Sequence, residues 1–210
     1  MFGEPGIHCK SAWDYSDEWH HSVNSDQLLC GFAHEILSSA DAVVTHNGRA
    51  FDWKFLQTRF LFHGLPPLPR IPHIDTKCLA KTNLFLFNNK LNTLGKELVQ
   101  MEKRDHEGWD LWVKVSERNQ RAQSEMSKYC EQDVRLLLKI YKILRPFTTQ
   151  IPNYNILRGS KELICPSCGG TRLKSNGYRY TRTMSYKRYI CMDCRSWMRT
   201  DANEKTMRAI

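Results

Sequence analysis

Residues 41–64, DAVVTHNGRAFDWKFLQTRFLFHG, join a short apolar run to a helical pattern through a tight turn. DAVVTHN (41–47) is typical of a short buried strand, and its last residue, with the glycine that follows, favours a turn. FDWKFLQTRFLFHG (51–64) predicts a helix that ends at its terminal glycine, just before two prolines. A strand that passes directly into a helix is the repeating unit of α/β proteins. This stretch therefore predicts an α/β fold.

The same kind of pattern continues on both sides of this stretch. We predict strands at residues 7–13 and 71–75 and helices at residues 25–40, 91–101 and 126–144. A further helical segment, TKCLAKT, follows the strand at 71–75. Ser25 is the expected N-cap of the helix at 25–40. Composition changes to Cys, Arg, Tyr and Gly after a proline-containing linker. We therefore predict an α/β domain at 1–148, a linker at 149–160 and a small second domain at 161–210.

Asp52 is the first residue of possible chemical importance in the opening stretch. It falls in the first turn of the predicted helix, at the carboxyl-terminal edge of the sheet, where open α/β sheets form their sites. A carboxylate at that position also complements the helix dipole, which would be a purely structural role.

KYCEQDV (128–134) lies within the helix predicted at 126–144. Tyr129 and Asp133 are four residues apart, so they share one helix face with the apolar side chains that follow. A carboxylate on a buried stripe must be compensated, and a metal ion is one way to do so. The structural alternative is a surface carboxylate close to Arg135 and Lys139.

Four cysteines form the strongest chemical pattern of the chain. They stand in two Cys-x-x-Cys pairs, CPSC and CMDC, separated by 22 residues: Cys165, Cys168, Cys191 and Cys194. Four thiolates at this spacing suit tetrahedral Zn²⁺ in a closed, structural site. The intervening loop is typical of a hairpin, with YRYTRT and YKRYI as its strands and with turns at Gly169–Gly170 and Asn176–Gly177. The pattern predicts a small β zinc ribbon.

The net charge of +9 is unevenly distributed. Residues 158–210 carry twelve Lys and Arg against four Asp and Glu, whereas residues 1–157 carry nineteen against eighteen. Basic residues alternate with tyrosines in the predicted hairpin, and we expect four of them to contact nucleic acid: Arg179, Arg182, Lys187 and Arg188. Zinc ribbons also bind proteins, so docking to a protein partner is an alternative use of this surface.

Together these motifs resemble the DEDD-type 3′–5′ exonucleases of the tyrosine subclass, in particular bacterial and phage members with a carboxyl-terminal zinc ribbon. The resemblance rests on HNGRAFD (46–52), IDTKCLAK (74–81) and the Tyr129-x-x-x-Asp133 spacing, and it extends over nearly the whole chain. It implies a ribonuclease H-like fold, a mixed sheet flanked by helices. It also implies hydrolysis of phosphodiester bonds with two Mg²⁺ or Mn²⁺ ions.

The resemblance assigns roles to individual residues. It implies that Asp52 and Asp133 bind the catalytic metal ions and that Tyr129 orients the attacking water. Asn47 and Phe51 would shape the pocket for the terminal nucleotide, with a single-stranded 3′ end of DNA or RNA as the favoured substrate. Asp75 is expected to support local structure rather than to bind metal.

The first motif of the family, Asp-x-Glu on the central strand, has no counterpart upstream of Asn47. Asp14, Asp17 and Glu18 lie in a polar segment, and Glu4 lies in a Gly/Pro turn. The sheet is therefore expected to be incomplete at its amino-terminal side. The sequence would then be a fragment whose missing strands come from a separate chain, a non-catalytic relative, or an enzyme that uses another acidic residue.

The sequence therefore predicts a metal-dependent 3′–5′ exonuclease-like protein, with a non-catalytic nucleic-acid-binding module as the alternative. No apolar run reaches the ~20 residues that a membrane-spanning helix needs. We expect a cytoplasmic location, in a bacterium or a phage-infected cell, where eight cysteines are not a disulfide framework.

Overall fold

The computed structural model describes residues 6–15, 26–101, 108–157, 159, 162–201 and 207–210. The helices are α1 (Gln27–Ser38), α2 (Asp52–Phe62), α3 (Thr76–Asn83), α4 (Leu91–Leu94), α5 (Trp109–Ser116), α6 (Gln120–Leu144) and α7 (Tyr154–Leu157). The strands are β1 (Val43–Thr45), β2 (His73–Asp75), β3 (Leu173–Tyr180), β4 (Ser185–Cys191), β5 (Trp197–Thr200) and β6 (Met207–Ala209). The fold is α/β with a small all-β region at the carboxyl-terminal end, as the sequence predicts.

The chain divides into two compact units, and each has its own sheet. The first unit comprises residues 5–77 and 87–140 and contains the parallel pair β1–β2, in which Val44 lies opposite Ile74. The second comprises residues 141–210 together with 78–86 and contains the antiparallel sheet β3-β4-β5-β6. We call the described residues 162–201 and 207–210 the cysteine ribbon. Domain boundaries at 148 and 160 remain a prediction.

Two apolar clusters hold the helices of the first unit together. Between α1 and α2, Cys30 and Phe60 are almost completely buried, and Leu68 closes the cluster from the following loop. Between α5 and α6, Leu111 and Met126 belong to a second cluster. The face predicted for α1 needs correction: Leu28 and Ile36 are 51% and 47% exposed, and the side that packs carries Cys30, Ala33 and Leu37.

The strand predicted at residues 7–13 is wrong. Residues 6–11 have no regular secondary structure, and Ala12–Asp14 form a 3₁₀ turn. The Asp14 carboxylate accepts a hydrogen bond from the Ser11 backbone N–H at 2.7 Å. That local bond caps the turn and offers the backbone an alternative to strand pairing.

Two helix predictions need correction at their ends. The α-helix predicted at 91–101 ends at Leu94, and the chain then forms a single π-helical turn over Gly95–Val99. A Cβ atom on Gly95 would lie 2.6 Å from the Met101 carbonyl oxygen, so the chain folds back more tightly here than side chains allow. The helix predicted at 126–144 begins earlier, because the Asn119 side chain caps Ala122 at 3.1 Å. The N-cap predicted at Ser25 lies outside the described residues.

Candidate functional site

The connection between β1 and α2 is held by the Asp75 carboxylate. Asp75 ends β2 and is only 4% exposed. It accepts hydrogen bonds from the backbone N–H groups of Asn47 at 2.9 Å, Arg49 at 3.4 Å and Lys77 at 3.0 Å. Three donors compensate a buried carboxylate. Asp75 therefore supports local structure, as the sequence predicts.

The turn itself is closely packed. A Cβ atom on Gly48 would lie 2.5 Å from the Thr45 Cβ atom, so only glycine fits. Asn47 has a positive φ of 68°, and its side-chain oxygen accepts a hydrogen bond from Lys77 Nζ at 3.2 Å. These contacts occupy Asn47 in the turn and fix the point at which α2 begins.

Asp52 starts α2 at the carboxyl-terminal end of β1, where the strand-to-helix pattern places it. Its side chain is exposed. The neighbouring Phe51 is 66% exposed, and its ring stacks on that of Phe55 with 6.4 Å between centroids. The first turn of α2 therefore presents a carboxylate beside an accessible pair of aromatic rings.

His73 is a neighbour of Asp52 that the sequence does not single out. Its Nε2 lies 2.7 Å from Thr45 Oγ1, and its ring lies 5.1 Å from that of Trp53. Burial lowers the pKa of His73 and Arg49 adds to this effect, whereas the carboxylates of Asp75 and Asp52 raise it. His73 could have been found from strand alternation, because it precedes Asp75 by two residues on the same face of β2.

Tyr129 and Asp133 lie on one side of α6, among the side chains that the helix buries. Leu136 and Ile140 are 0% exposed, and Tyr129 packs against the cluster that contains Met126. Asp133 is half-buried, and one of its carboxylate oxygens is inaccessible to solvent. The buried stripe predicted for this helix is therefore confirmed.

Carboxylate oxygens suit Mg²⁺ and Mn²⁺, which prefer hard ligands. Among the residues that the structure describes, however, neither Asp52 nor Asp133 belongs to a group of three or more potential metal ligands. The fit to a two-ion centre is therefore partial, with one carboxylate on α2 and one on α6. Asp14 caps its own turn, and the acidic residues at 4, 17 and 18 lie outside the described ranges.

One group of three potential ligands occurs between α1 and α2, at Asp26, Cys30 and His63. Asp26 forms a salt bridge with Arg59, and its Oδ1 lies 2.6 Å from His63 Nε2. The Arg59 hydrogen bond is the main cause of a fall in the Asp26 pKa to about 2. Burial raises the pKa of Cys30 to about 11. Arg59 already supplies the positive charge, so this group is an ion-pair network that joins the start of α1 to the end of α2.

The four cysteines of the ribbon do converge. Their sulfur atoms all lie within 4.8 Å of one another. Cys165 and Cys194 Sγ are 3.6 Å apart, and Cys168 and Cys191 Sγ are 3.7 Å apart. A tetrahedron with Zn–S bonds of about 2.3 Å has edges of about 3.8 Å, whereas a disulfide needs about 2.05 Å. The donor set therefore fits a tetrahedral zinc ion.

The two cysteine pairs adopt the same turn. In the first, the Gly169 N–H donates to the Cys165 carbonyl oxygen at 2.8 Å, and in the second Arg195 donates to Cys191 at 3.0 Å. Gly169 and Arg195 both have positive φ, 72° and 65°. A hydrogen bond with Cys168 raises the pKa of Cys165, and a bound metal cation acts in the opposite direction by favouring thiolates. These residues would hold Zn²⁺ in a closed site that stabilises the fold.

Strand pairing in the ribbon shows where the four basic residues predicted to contact nucleic acid lie. Arg179 lies opposite Tyr186 and shares a sheet face with Arg188, whereas Lys187 points to the other face. Arg182 lies between β3 and β4.

The turn predicted at Asn176–Gly177 is wrong: these residues lie within β3 at an irregularity in the pairing, and the hairpin turns at 181–184. Strands β5 and β6 are too short to give a clear sequence pattern, so their arginines were not predicted.

A family model of the RNase H superfamily, RNase_H_2, matches residues 12–145. That range contains Asp52, Tyr129 and Asp133 and ends before the cysteine ribbon. Among curated proteins, none matches the chain. None of the described helices is long and apolar enough to cross a membrane.

Proposed function

The chain belongs to the ribonuclease H superfamily, and on this premise we propose that it is a metal-dependent 3′–5′ exonuclease of the DEDD type. The superfamily consists generally of nucleases, which supports hydrolysis of nucleic acid. The observation that carries the finer proposal is the position of Asp52. It lies one tight turn beyond β1, at the sheet edge where α/β proteins form their sites.

Asp52 and Asp133 would each supply a carboxylate to the metal centre. When bound, two divalent ions polarise the phosphate and stabilise the attacking and leaving oxygens. Burial of one Asp133 oxygen on α6 favours a fixed orientation of that carboxylate. Tyr129, one helical turn earlier, would orient the attacking water, and its packing in the α5–α6 cluster restricts its ring.

The substrate side of the proposal rests on Phe51. Its exposed ring, stacked with Phe55 beside Asp52, is available to the base of a terminal nucleotide. Asn47 would act on the substrate only indirectly, by holding the turn that positions α2. A separate chain that completes the sheet remains part of the proposal.

The test is Mg²⁺-dependent release of mononucleotides from an oligonucleotide labelled at its 3′ end. We expect Asp52→Ala and Asp133→Ala each to abolish release, while Val134→Ala, at an exposed neighbouring position, leaves it unchanged. Binding of Mn²⁺, followed by electron paramagnetic resonance, should weaken in the same two variants. Release at the native rate by Asp133→Ala would contradict the assignment.

A nucleic-acid-binding module without catalysis is the second candidate, and one observation favours it. The cysteine ribbon carries arginines and aromatic rings on one open sheet face, independently of any carboxylate site. Salt-dependent binding with no Mg²⁺-dependent release, in the chain alone and with candidate partners, would favour this function over the nuclease.

A further inference from the structure

Three arginines lie side by side across the cysteine ribbon. Arg188 on β4 pairs with Arg199 on β5, and Arg199 pairs with Arg208 on β6. Directly paired residues point to the same face of a sheet, and neighbouring strands are about 4.8 Å apart. The three residues therefore form a row about 10 Å long, which we call the arginine row. They are distant in sequence, so only the strand pairing reveals them.

Aromatic rings hold two of these arginines in place. The Arg188 guanidinium carbon lies 4.9 Å from the centre of the Trp197 ring, and that of Arg199 lies 3.9 Å from the Tyr186 ring. Stacking uses the flat face of a guanidinium and leaves the N–H donors at its edge available. Arg188 Nε and Arg199 Nη1 donate to backbone carbonyl groups, at 2.9 Å and 3.2 Å. Towards the residues that the structure describes, the other N–H donors of the row make no hydrogen bond, so they are available to a planar or tetrahedral anion.

Like charges directly opposite each other destabilise a sheet. Within the described part of the chain, no carboxylate forms an ion pair with any member of the row, and Asp193, the acid in the nearby cysteine turn, pairs with Arg172 instead. Cation–π contacts offset part of the repulsion. A bound polyanion would remove the rest, so the row has the charge and the geometry of an anion-binding surface.

We propose that the arginine row binds the phosphates of a single-stranded nucleic acid. The proposal rests on the nucleic-acid function proposed above and assigns it a second, non-catalytic site. At about 3.4 Å per stacked nucleotide, a row of 10 Å corresponds to about three nucleotides of one strand. Trp197 is 39% exposed at the edge of the row, so it can stack on a base that is not already paired within a duplex.

The test measures binding of a fluorescein-labelled single-stranded oligonucleotide by fluorescence anisotropy. The full zinc-loaded chain is used without Mg²⁺ or Mn²⁺, so that no hydrolysis interferes. The test variant carries Arg188→Gln, Arg199→Gln and Arg208→Gln. The control variant carries Lys10→Gln, Lys81→Gln and Arg121→Gln, which removes three exposed charges outside the ribbon. One bound zinc per chain in both variants shows that the ribbon is folded.

For a single strand, each phosphate contact contributes about −0.7 to the slope of log K against log salt concentration. We expect the test variant to bind at least about tenfold more weakly and to lose about 2 units of slope, while the control variant binds like the native chain. Trp197→Leu should weaken binding but lower the slope by no more than one contact, about 0.7, because it removes base stacking and the ring that holds Arg188 but no charge. Equal losses in both triple variants would overturn the proposal.

Competition separates the remaining alternatives. Displacement by polyglutamate as effective, per charge, as by unlabelled oligonucleotide would reject nucleic acid as the ligand. Equally tight binding of a duplex would reject the single strand. The nuclease assay is independent: loss of binding in the test variant supports the row even if no chain releases nucleotides. Conversely, if nucleotide release depends on Asp133 and the test variant binds the oligonucleotide like the native chain, the arginine row is rejected as a binding site and the proposed nuclease activity stands.

Discussion

The cysteine ribbon and the β1–α2 region are both marked by clear sequence patterns, yet their ligand groups are arranged very differently. In the ribbon, four sulfur atoms converge at distances that suit one metal ion. In the first unit, Asp52 and Asp133 stand on different helices, and no described residue completes a group of three ligands around either. The predicted convergence of the four cysteines is confirmed, whereas the metal-binding role of Asp52 and Asp133 stays a prediction.

The difference comes from the length of chain that each geometry depends on. Within a Cys-x-x-Cys turn, one backbone hydrogen bond and one residue of positive φ fix the relative positions of two sulfur atoms. A carboxylate centre depends instead on the order of strands and on packing between helices that are far apart in sequence. We therefore expect the cysteine site to be disrupted most by substitution of a ligand, and the carboxylate centre to depend also on the residues that pack its helices.

Loss of a cysteine ligand is expected to have the largest effect. Cys191→Ser replaces a completely buried sulfur at the end of β4. Because zinc binding contributes about 10–16 kcal/mol in small zinc domains, we expect the ribbon to lose its metal and its sheet. Zinc content and near-ultraviolet circular dichroism are the measurements. Cys130→Ser, outside the four-cysteine cluster, serves as the control. One zinc per chain in Cys191→Ser would show that the convergence of four sulfurs is not needed.

The second prediction concerns the helix that carries Asp133. Leu136 is 0% exposed, and its methyl groups lie about 3 Å from where a Cβ atom on Gly95 would be. Leu136→Ala should lower the free energy of unfolding by about 2–5 kcal/mol, because it leaves a cavity. Urea denaturation measures the change. Val134→Ala, at a position that is 50% exposed, should cost less than about 1 kcal/mol. Equal costs at the two positions would contradict the buried stripe.

These packed positions also show which features of the fold can be predicted from the sequence. Periodicity correctly predicts the buried face of α6 and the strand–turn–helix around Asp52, because both are local patterns. It fails at residues 7–13, where the side chain of Asp14 caps a turn instead of allowing a strand. It also misses Arg199 and Arg208, which become neighbours of Arg188 only through the pairing of three strands. These two errors lie where one side-chain hydrogen bond or a long-range register decides the structure.

The third prediction separates a structural carboxylate from a functional one. Asp75→Asn removes an acceptor from a side chain that is 4% exposed and bonded to three backbone N–H groups. We expect a loss of about 1–3 kcal/mol in the free energy of unfolding. Asp52→Asn, at an exposed position, should change it by less than about 0.5 kcal/mol while abolishing nuclease activity. The reverse result would mean that Asp75 is the metal ligand.

The smallest expected effect belongs to the ion-pair network of Asp26, which the sequence did not predict. Its pKa is lowered to about 2, chiefly by the hydrogen bond from Arg59. A depressed carboxylate pKa stabilises the fold above the unfolded-state pKa of about 4, and this contribution disappears as the pH falls towards 2. Asp26→Asn keeps the size of the side chain and a residue suited to the helix start. We expect it to cost about 1–2 kcal/mol at pH 7, since the carboxylate is partly exposed.

The pH dependence distinguishes this charge effect from simple loss of packing. The difference in the free energy of unfolding between the native chain and Asp26→Asn should shrink between pH 4 and pH 2, because the native carboxylate then becomes protonated. A difference that stays constant down to pH 2 would mean that the amide disturbs the contacts with Arg59 and His63 sterically. The network would then stabilise the fold through its packing and hydrogen-bond geometry rather than through the charge of Asp26.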